Sequence, residues 1–198
     1  MDPKETAVLF IEFQNDFCTT RGVFHELAGP ELERLETVVH ARDLLEAARR
    51  SGAGVIHCPF VYDADWCKKT RSVGLLETIR QNGAFQPNTW GAAIIEELAP
   101  RGREVVLSGK RGLSAFGNTE LNHVLKTGDY RDLLVCGLLT NVCVQATAFS
   151  AYDRGMNTRI VLDACASGSR ECQEYVENNV ARILGGPLYT AEVIAEWS

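Results

Sequence analysis

Leu133-Leu-Val-Cys-Gly-Leu-Leu-Thr-Asn-Val-Cys-Val-Gln-Ala-Thr-Ala-Phe149 carries the strongest structural signal in this chain of 198 residues. It begins with an unbroken apolar run, Leu133 to Cys136, and Gly137 follows. Such a run is typical of a strand buried on both faces of a sheet. The next segment is rich in alanine and ends near Arg154 and Gly155. This pattern predicts a helix that a glycine terminates.

Cys143 falls at the start of that predicted helix. Thr140 is suited to be its N-cap, which places Cys143 in the first turn. There, unpaired N–H groups and the positive end of the helix dipole favour a thiolate over a thiol. Free cysteines are, however, among the most buried residues and are usually inert. Position alone therefore favours a buried structural thiol at Cys143.

Strands and helices alternate along the rest of the chain. Each predicted strand is short and continuously apolar, which indicates a parallel sheet covered by helices on both faces. The other strands are predicted at Ala7–Ile11, Gly54–Phe60, Glu104–Ser108 and Thr158–Leu162, with a short sixth near Leu188 and Tyr189. Helices are predicted from Pro30 to Ser51, Ala92 to Leu98 and Glu120 to Lys126, after the Ser169 cap, and from Thr190.

A long segment at about 61–90 shows no strong periodicity. The chain is predicted to be one domain, 1–198, with this segment as an elaborated loop. A loop this long within a compact domain is usually functional or hides an element. It carries aromatic side chains, which fit a substrate lid better than a linker.

Composition and charge exclude several classes of function. The net charge of −6 argues against a nucleic-acid or anionic-membrane surface. No apolar stretch has the length needed to span a bilayer. The seven cysteines are scattered and odd in number, and the N-terminus lacks the pattern of a signal peptide. We therefore expect a reduced, cytoplasmic protein with free thiols.

Three reactive side chains follow predicted strands directly. Glu12 follows the first, Lys110 the third and Cys143 the fourth. In parallel sheets the ligand lies beyond the carboxyl ends of the strands, where the strand order reverses. Each residue alone has a simpler structural explanation, but their coincidence indicates a site.

Four blocks of sequence resemble the isochorismatase-like cysteine hydrolases. They are Ala7-Val-Leu-Phe-Ile-Glu-Phe-Gln-Asn-Asp-Phe17, Gly109-Lys110 with Ser114-Ala-Phe116, Val135-Cys-Gly-Leu-Leu-Thr-Asn-Val-Cys143 and Val161-Leu-Asp-Ala-Cys-Ala-Ser167. That group includes nicotinamidases and N-carbamoylsarcosine, ureidoacrylate and biuret hydrolases. The resemblance implies a six-stranded, mostly parallel, Rossmann-like sheet in a three-layer α/β/α sandwich. It also implies a homo-oligomer, as a dimer or tetramer, and an Asp-Lys-Cys triad.

By this resemblance, Cys143 is the nucleophile and Lys110 the cation near it. The family's aspartate falls on Glu12, which is a departure. One extra methylene moves a carboxylate by on the order of 1 Å, enough to impair a site. A compensating shift is equally compatible, because both acids have the same chemistry. Asp16 is interpreted as a loop or capping residue.

The resemblance also predicts an oxyanion hole and no metal. A cis peptide between Leu138 and Leu139 would aim the N–H groups of Leu139 and Cys143 at one point. Nicotinamidases hold a divalent ion with an Asp-x-His and a further histidine. Here His57 has no second histidine nearby. We expect neither a metal nor another cofactor.

The predicted function is hydrolysis of a C–N bond in a small amide, carbamoyl or ureido compound through a Cys143 thioester. One alternative is vinyl-ether hydrolysis of isochorismate, which needs no nucleophilic cysteine. Another is a binding protein on a decayed enzyme scaffold, which only Glu12 supports. The partner expected is a small molecule; candidate pocket residues are Gln14, Tyr62, Trp66, Trp90 and Phe116.

Overall fold

Five parallel strands form a single sheet in the order β3-β2-β1-β4-β5. The computed structural model describes residues 1–70 and 73–198. The strands are β1 (Thr6–Ile11), β2 (Gly54–Cys58), β3 (Val105–Val106), β4 (Asp132–Leu138) and β5 (Asn157–Ala166). The order reverses between β1 and β4, so their carboxyl ends border the crevice where α/β folds bind ligands.

Helices cover both faces of this sheet, as predicted. The connections through α3 and through α7 run in opposite directions along the sheet, so right-handed crossovers place these helices on opposite faces. No helix within the described ranges is long and apolar enough to cross a membrane. The helices are α1 (Asn15–Cys18), α2 (His25–Arg34), α3 (Thr37–Ser51), α4 (Ala64–Thr70), α5 (Leu75–Asn82), α6 (Leu121–Thr127), α7 (Gln145–Tyr152), α8 (Arg170–Tyr175), α9 (Ala181–Ile183) and α10 (Thr190–Glu196).

The contact between β1 and β4 forms the centre of the core. All six residues of β1 are buried, which explains the continuous apolar run. Ile11 pairs with Gly137 on β4. A side chain at Gly137 would place its Cβ 2.0 Å from the carbonyl oxygen of Ile11, and the residue has a φ of +129°. Only glycine fits there.

The predicted sixth strand is reduced to a single pairing. Leu188 forms an isolated parallel bridge with Val161, so the prediction of six strands was wrong by one. Pro187, just before it, has no N–H to donate to a ladder. Tyr189, just after it, already caps α10. Only one residue is left to pair.

The segment at 61–90 contains two helices, α4 and α5, and is not a continuous loop. Residues 71 and 72 lie outside the described residues. Both helices are too short to show strong periodicity in sequence. Gly83, with a φ of +64°, ends α5.

Three further boundaries differ from the predictions. The helix predicted from Pro30 is two helices, because Glu36 adopts a left-handed φ of +49° between α2 and α3. The predicted helix at 92–98 is only a 3₁₀ turn, since Ile94 pairs with Gln14 in an extended bridge. The edge strand β3 keeps two of the five predicted residues.

Candidate active site

Glu12, Lys110 and Cys143 meet at the carboxyl edge of the sheet, as the sequence predicted. Glu12 follows β1, Lys110 lies in the loop after β3, and Cys143 lies in the turn after β4. All three are nearly inaccessible, with relative exposures of 4%, 1% and 4%. Lys110 is 98 residues from Glu12 and 33 from Cys143 along the chain, yet the three side chains form one buried cluster.

Lys110 holds the cluster together. Its Nζ donates to Glu12 Oε1 at 2.5 Å and to the Gly112 carbonyl oxygen at 2.6 Å. The same nitrogen lies 3.7 Å from Cys143 Sγ and 5.4 Å from the centre of the Phe60 ring. Burial by itself would lower the pKa of Lys110, but Glu12, Cys143 and Cys58 together outweigh burial and raise the net pKa. These surroundings favour the charged form of Lys110.

Cys143 lies in a π-helical turn, Thr140–Val144, that precedes α7. Its place in the first turn is confirmed. The predicted cap was wrong, because the Thr140 hydroxyl donates to Gln173 Oε1 at 2.7 Å. π-helical turns are rare and are frequent at functional sites.

The surroundings of Cys143 favour the thiol over the thiolate. Burial first, and the charge of Glu12 second, raise the pKa of the thiol above its ordinary value, although Lys110 opposes them. The thiolate expected from helix position alone is therefore not favoured at rest. Glu12 is joined to the thiol through Lys110, whose Nζ lies 2.5 Å from the carboxylate and 3.7 Å from Sγ. A carboxylate beside a protonated thiol is suited to accept its proton.

Glu12 is held in an unusual backbone conformation. Its φ is +56°, a left-handed value that costs a residue with a side chain about 1–3 kcal/mol. The Glu12 N–H donates to the Cys58 carbonyl oxygen at 3.1 Å, and the Glu12 carbonyl accepts the Gln14 N–H at 2.8 Å. These two bonds fix the direction of the carboxylate.

The peptide bond between Leu138 and Leu139 is cis, as the resemblance predicted. Leu139 immediately precedes the π-helical turn and accepts the Val142 N–H at 3.0 Å. The bend after β4 and the turn that carries Cys143 are therefore parts of one hydrogen-bonded unit.

A small cavity, about 20 Å³, adjoins the cluster. Apart from the three reactive residues and Gly112, its walls are apolar. They are formed by Phe17, Phe60, Leu75, Leu76, Ile79 and Leu113. The five predicted pocket residues are not among those lining residues.

Gln14 has a structural role instead. Its amide nitrogen donates to the carbonyl oxygens of Phe60 and Ala92, and its amide oxygen accepts the Phe60 N–H. The carboxylate of Asp16 likewise accepts the Phe85 N–H at 2.6 Å. Asp16 thus lies within α1 and not in a loop, and both side chains hold neighbouring backbone in place.

The four predicted aromatic residues do not line the small cavity that adjoins the cluster. Tyr62 is buried and lines a larger neighbouring pocket, and Trp66 packs partly against the core. Trp90 is 47% exposed. Phe116 lies under the guanidinium of Arg154, 4.4 Å from its centre. Leu75, Leu76 and Ile79 line the cavity from one face of α5, a helix too short to be recognised from the sequence.

His57 is a structural residue. It is buried, stacks on Phe10 with ring centres 5.5 Å apart, and has its Nε2 3.3 Å from Glu104 Oε2. Burial is the main cause of its lowered pKa. Within residues 1–70 and 73–198, no group of three or more His, Cys, Asp or Glu could hold a metal ion. The expectation of a metal-free site stays a prediction.

Comparison with known proteins gives a consistent picture. A model of the isochorismatase domain matches residues 6–194. The ureidoacrylate amidohydrolase RutB of Rhizobium rhizogenes is 30% identical over 165 residues, which cover 77% of this chain and 66% of RutB. The chain thus spans just under two thirds of that relative.

Solved structures share the fold. A cysteine hydrolase from Pseudomonas syringae pv. phaseolicola superposes with a TM-score of 0.84 at 25% identity. The superposition covers 100% of this chain and 94% of the hydrolase chain. N-carbamoylsarcosine amidase from Thermoplasma acidophilum has a TM-score of 0.71 at 24% identity, with 93% and 95% covered. With a domain match across nearly the whole chain, this protein belongs to the isochorismatase family of hydrolases.

Proposed function

We propose that this protein hydrolyses a C–N bond in a small amide, carbamoyl or ureido compound through a thioester on Cys143. The observation that carries the proposal is the buried contact of Glu12, Lys110 and Cys143. A nucleophile, a base within reach and a fixed cation form the set that covalent acyl transfer needs. The relative RutB, named a ureidoacrylate amidohydrolase, supports the reaction class.

The first step is attack by sulfur. Glu12 accepts the thiol proton as Sγ forms a bond to the substrate carbonyl carbon, and the carbonyl π electrons move to oxygen. Because the thiol is neutral at rest, proton transfer accompanies attack. Lys110 stays protonated and stabilises the negative charge that develops on sulfur.

The second step expels the amine. The oxyanion accepts hydrogen bonds from the N–H groups of Leu139 and Cys143, and loss of one such donor typically costs about 10²–10³ in rate. Glu12 returns its proton to the leaving nitrogen as the C–N bond breaks. Water, deprotonated by Glu12, then attacks the thioester and releases the acid and the thiol.

The glutamate is compatible with this mechanism. The reason to consider a decayed scaffold was the longer side chain at position 12. Its carboxylate nevertheless contacts Lys110 at 2.5 Å, and the Lys110 Nζ lies 3.7 Å from the Cys143 sulfur. These contacts favour catalysis over binding alone. They also favour amide chemistry over vinyl-ether hydrolysis, which has no use for the thiol.

The test is a substrate screen with matched variants. Linear amides, carbamoyl compounds, ureides and isochorismate would be offered to the wild type, to Cys143→Ala and to Cys172→Ala. Cys172 is partly exposed on α8 and serves as the control. We expect amine release from the wild type and Cys172→Ala only, with an acyl adduct on Cys143 visible by mass spectrometry. Amide turnover by Cys143→Ala would rule out the covalent route, and turnover of isochorismate alone would favour the alternative.

A further inference from the structure

The wall opposite the reactive cluster is apolar. Leu75, Leu76 and Ile79 of α5 face the cavity together with Leu113, from the loop after β3. Ile79 is buried, while Leu75 and Leu76 are only partly buried against the core. These side chains offer a substrate dispersion contacts and no hydrogen bonds.

Among residues 1–70 and 73–198, the cavity has no cationic side chain that is free of an anionic partner. Lys110, its cationic lining residue, is already bonded to Glu12 and to the Gly112 carbonyl. Arg111 lines the larger neighbouring pocket, where it pairs with Asp63 at 2.9 Å. Asp65 lines the same pocket. Among the residues that the structure describes, no other cationic side chain lines either pocket.

We expect the helix α5 to be the part of the cavity wall that moves. A cavity of about 20 Å³ holds roughly one water molecule, so a substrate enters only if a wall moves. Gly74 and Gly83 border α5 with φ values of +61° and +64°, and open space surrounds the position of a side chain at each. Backbone without side chains bends at low cost at both ends of the helix, and we assign the movement to α5 as a unit.

We infer that the site selects small uncharged substrates that carry an apolar group. The side chains of α5 bind this group. The inference rests on the proposed function and narrows its substrate class. A carboxylate in this cavity would lose its water without a counter-charge and would lie near Glu12, which repels it. A short alkyl chain against Leu75, Leu76 and Ile79 would instead bury apolar surface.

Butyramide and succinamate form a matched pair of probes, since both are primary amides and succinamate adds a carboxylate. We expect kcat/KM for butyramide to exceed that for succinamate by about tenfold or more, which corresponds to one unfavourable charge contact. Equal rates, or faster hydrolysis of succinamate, would overturn the inference and leave the proposed function standing. If neither amide, nor any compound of the wider screen, is hydrolysed, the proposed function fails.

Alkylation of Cys143 tests the inference without turnover. Iodoacetamide and iodoacetate differ only in charge, and their rates at Cys143 can be followed by mass spectrometry. Cys172 in the same molecule gives the reference ratio for a partly exposed thiol. We expect the ratio of iodoacetamide to iodoacetate at Cys143 to exceed that at Cys172 by about tenfold, because the anion meets an apolar wall and Glu12. A ratio at or below that of Cys172 would refute the charge selection.

A charge placed on α5 tests whether this helix selects the substrate. Leu76→Arg adds a cation to the wall, whereas Thr78→Arg adds one on the exposed face of the same helix. We expect Leu76→Arg to remove the discrimination against iodoacetate and succinamate, and Thr78→Arg to leave both ratios unchanged. If the two variants give the same rate ratios, α5 does not select the substrate.

Discussion

Thr147 lies one helical turn after Cys143 and connects it to the loop that carries Lys110. The Thr147 hydroxyl donates to the Cys143 carbonyl oxygen at 2.7 Å and accepts the Ala115 N–H at 2.9 Å. Thr147 is fully buried. One side chain therefore joins the segment that carries Cys143 to the segment that carries Lys110, and we assign it a positioning role in the proposed reaction.

Thr147→Val tests this role. The variant keeps the shape of the side chain but leaves the buried Ala115 N–H unpaired, which costs about 1–3 kcal/mol of unfolding free energy. We expect kcat to fall about tenfold or more while KM changes little, because small displacements of reacting groups are expensive. Thr147→Ser keeps the hydroxyl and should restore kcat. Equal kcat values for the Val variant and the wild type would show that the connection is only structural.

Glu12 and Lys110 should show strong thermodynamic coupling. Glu12→Gln leaves a buried cation unpaired and Lys110→Met leaves a buried carboxylate unpaired; each should cost about 3–5 kcal/mol. The double variant should lose less than the sum of the two, by about 1–3 kcal/mol. Urea denaturation of the four proteins measures the coupling. Strict additivity would mean that the contact at 2.5 Å contributes nothing.

Glu104 gives the protein a predictable response to acid. Burial would raise its pKa, but the guanidinium of Arg49, the Arg101 N–H and His57 outweigh burial and lower the pKa from 4.5 to about 2. A depressed carboxyl pKa stabilises the fold above pH 4.5, and this contribution disappears as the pH falls from 4.5 towards 2. At neutral pH it amounts to about 3 kcal/mol.

We therefore expect Glu104→Gln to be less stable than the wild type at pH 7 and nearly as stable near pH 2. The control is Glu46→Gln, since Glu46 also bonds to Arg49 but is partly exposed. That change should cost under about 1 kcal/mol. Denaturation midpoints across this pH range test both. A gap that stays constant with pH would exclude ionisation as its cause.

Gly137→Ala should prevent normal folding. The new Cβ would meet the Ile11 backbone at 2.0 Å, and a strand at the centre of the sheet cannot move aside. We expect a loss of more than about 4 kcal/mol, seen as insoluble protein or a collapsed melting temperature. Gly52→Ala is the control: its φ of +80° is also strained, but the space around it is open. It should cost only about 1–2 kcal/mol.

The sequence revealed those features that depend on hydrophobic pattern and on strand ends. The apolar runs of β1 and β4 predicted a parallel sheet, and that topology alone brings Glu12, Lys110 and Cys143 to one edge. The helix cap and the thiolate at Cys143 could not be predicted as reliably. Both depend on what surrounds the first turn. Gln173 accepts the hydrogen bond of the Thr140 hydroxyl, and burial disfavours the thiolate.

The pocket was the least predictable part. Tyr62, Trp66, Trp90 and Phe116 were expected to line it, yet Phe17, Phe60 and the aliphatic face of α5 line the small cavity. An eight-residue helix contributes one short apolar face, which cannot be told from chance spacing. Gln14 shows the same difficulty for polar residues, since only the folded backbone reveals that its amide is fully used by Phe60 and Ala92.

The central place of β1 has a consequence for synthesis of the chain. β1 leaves the ribosome long before its partner β4, which begins only at Asp132. Until then the nascent chain carries an apolar strand with an open edge, a template for association with other chains. We expect a chaperone to bind this protein during translation. Glu12, Lys110 and Cys143 can come together only after the segment that carries Cys143 has emerged.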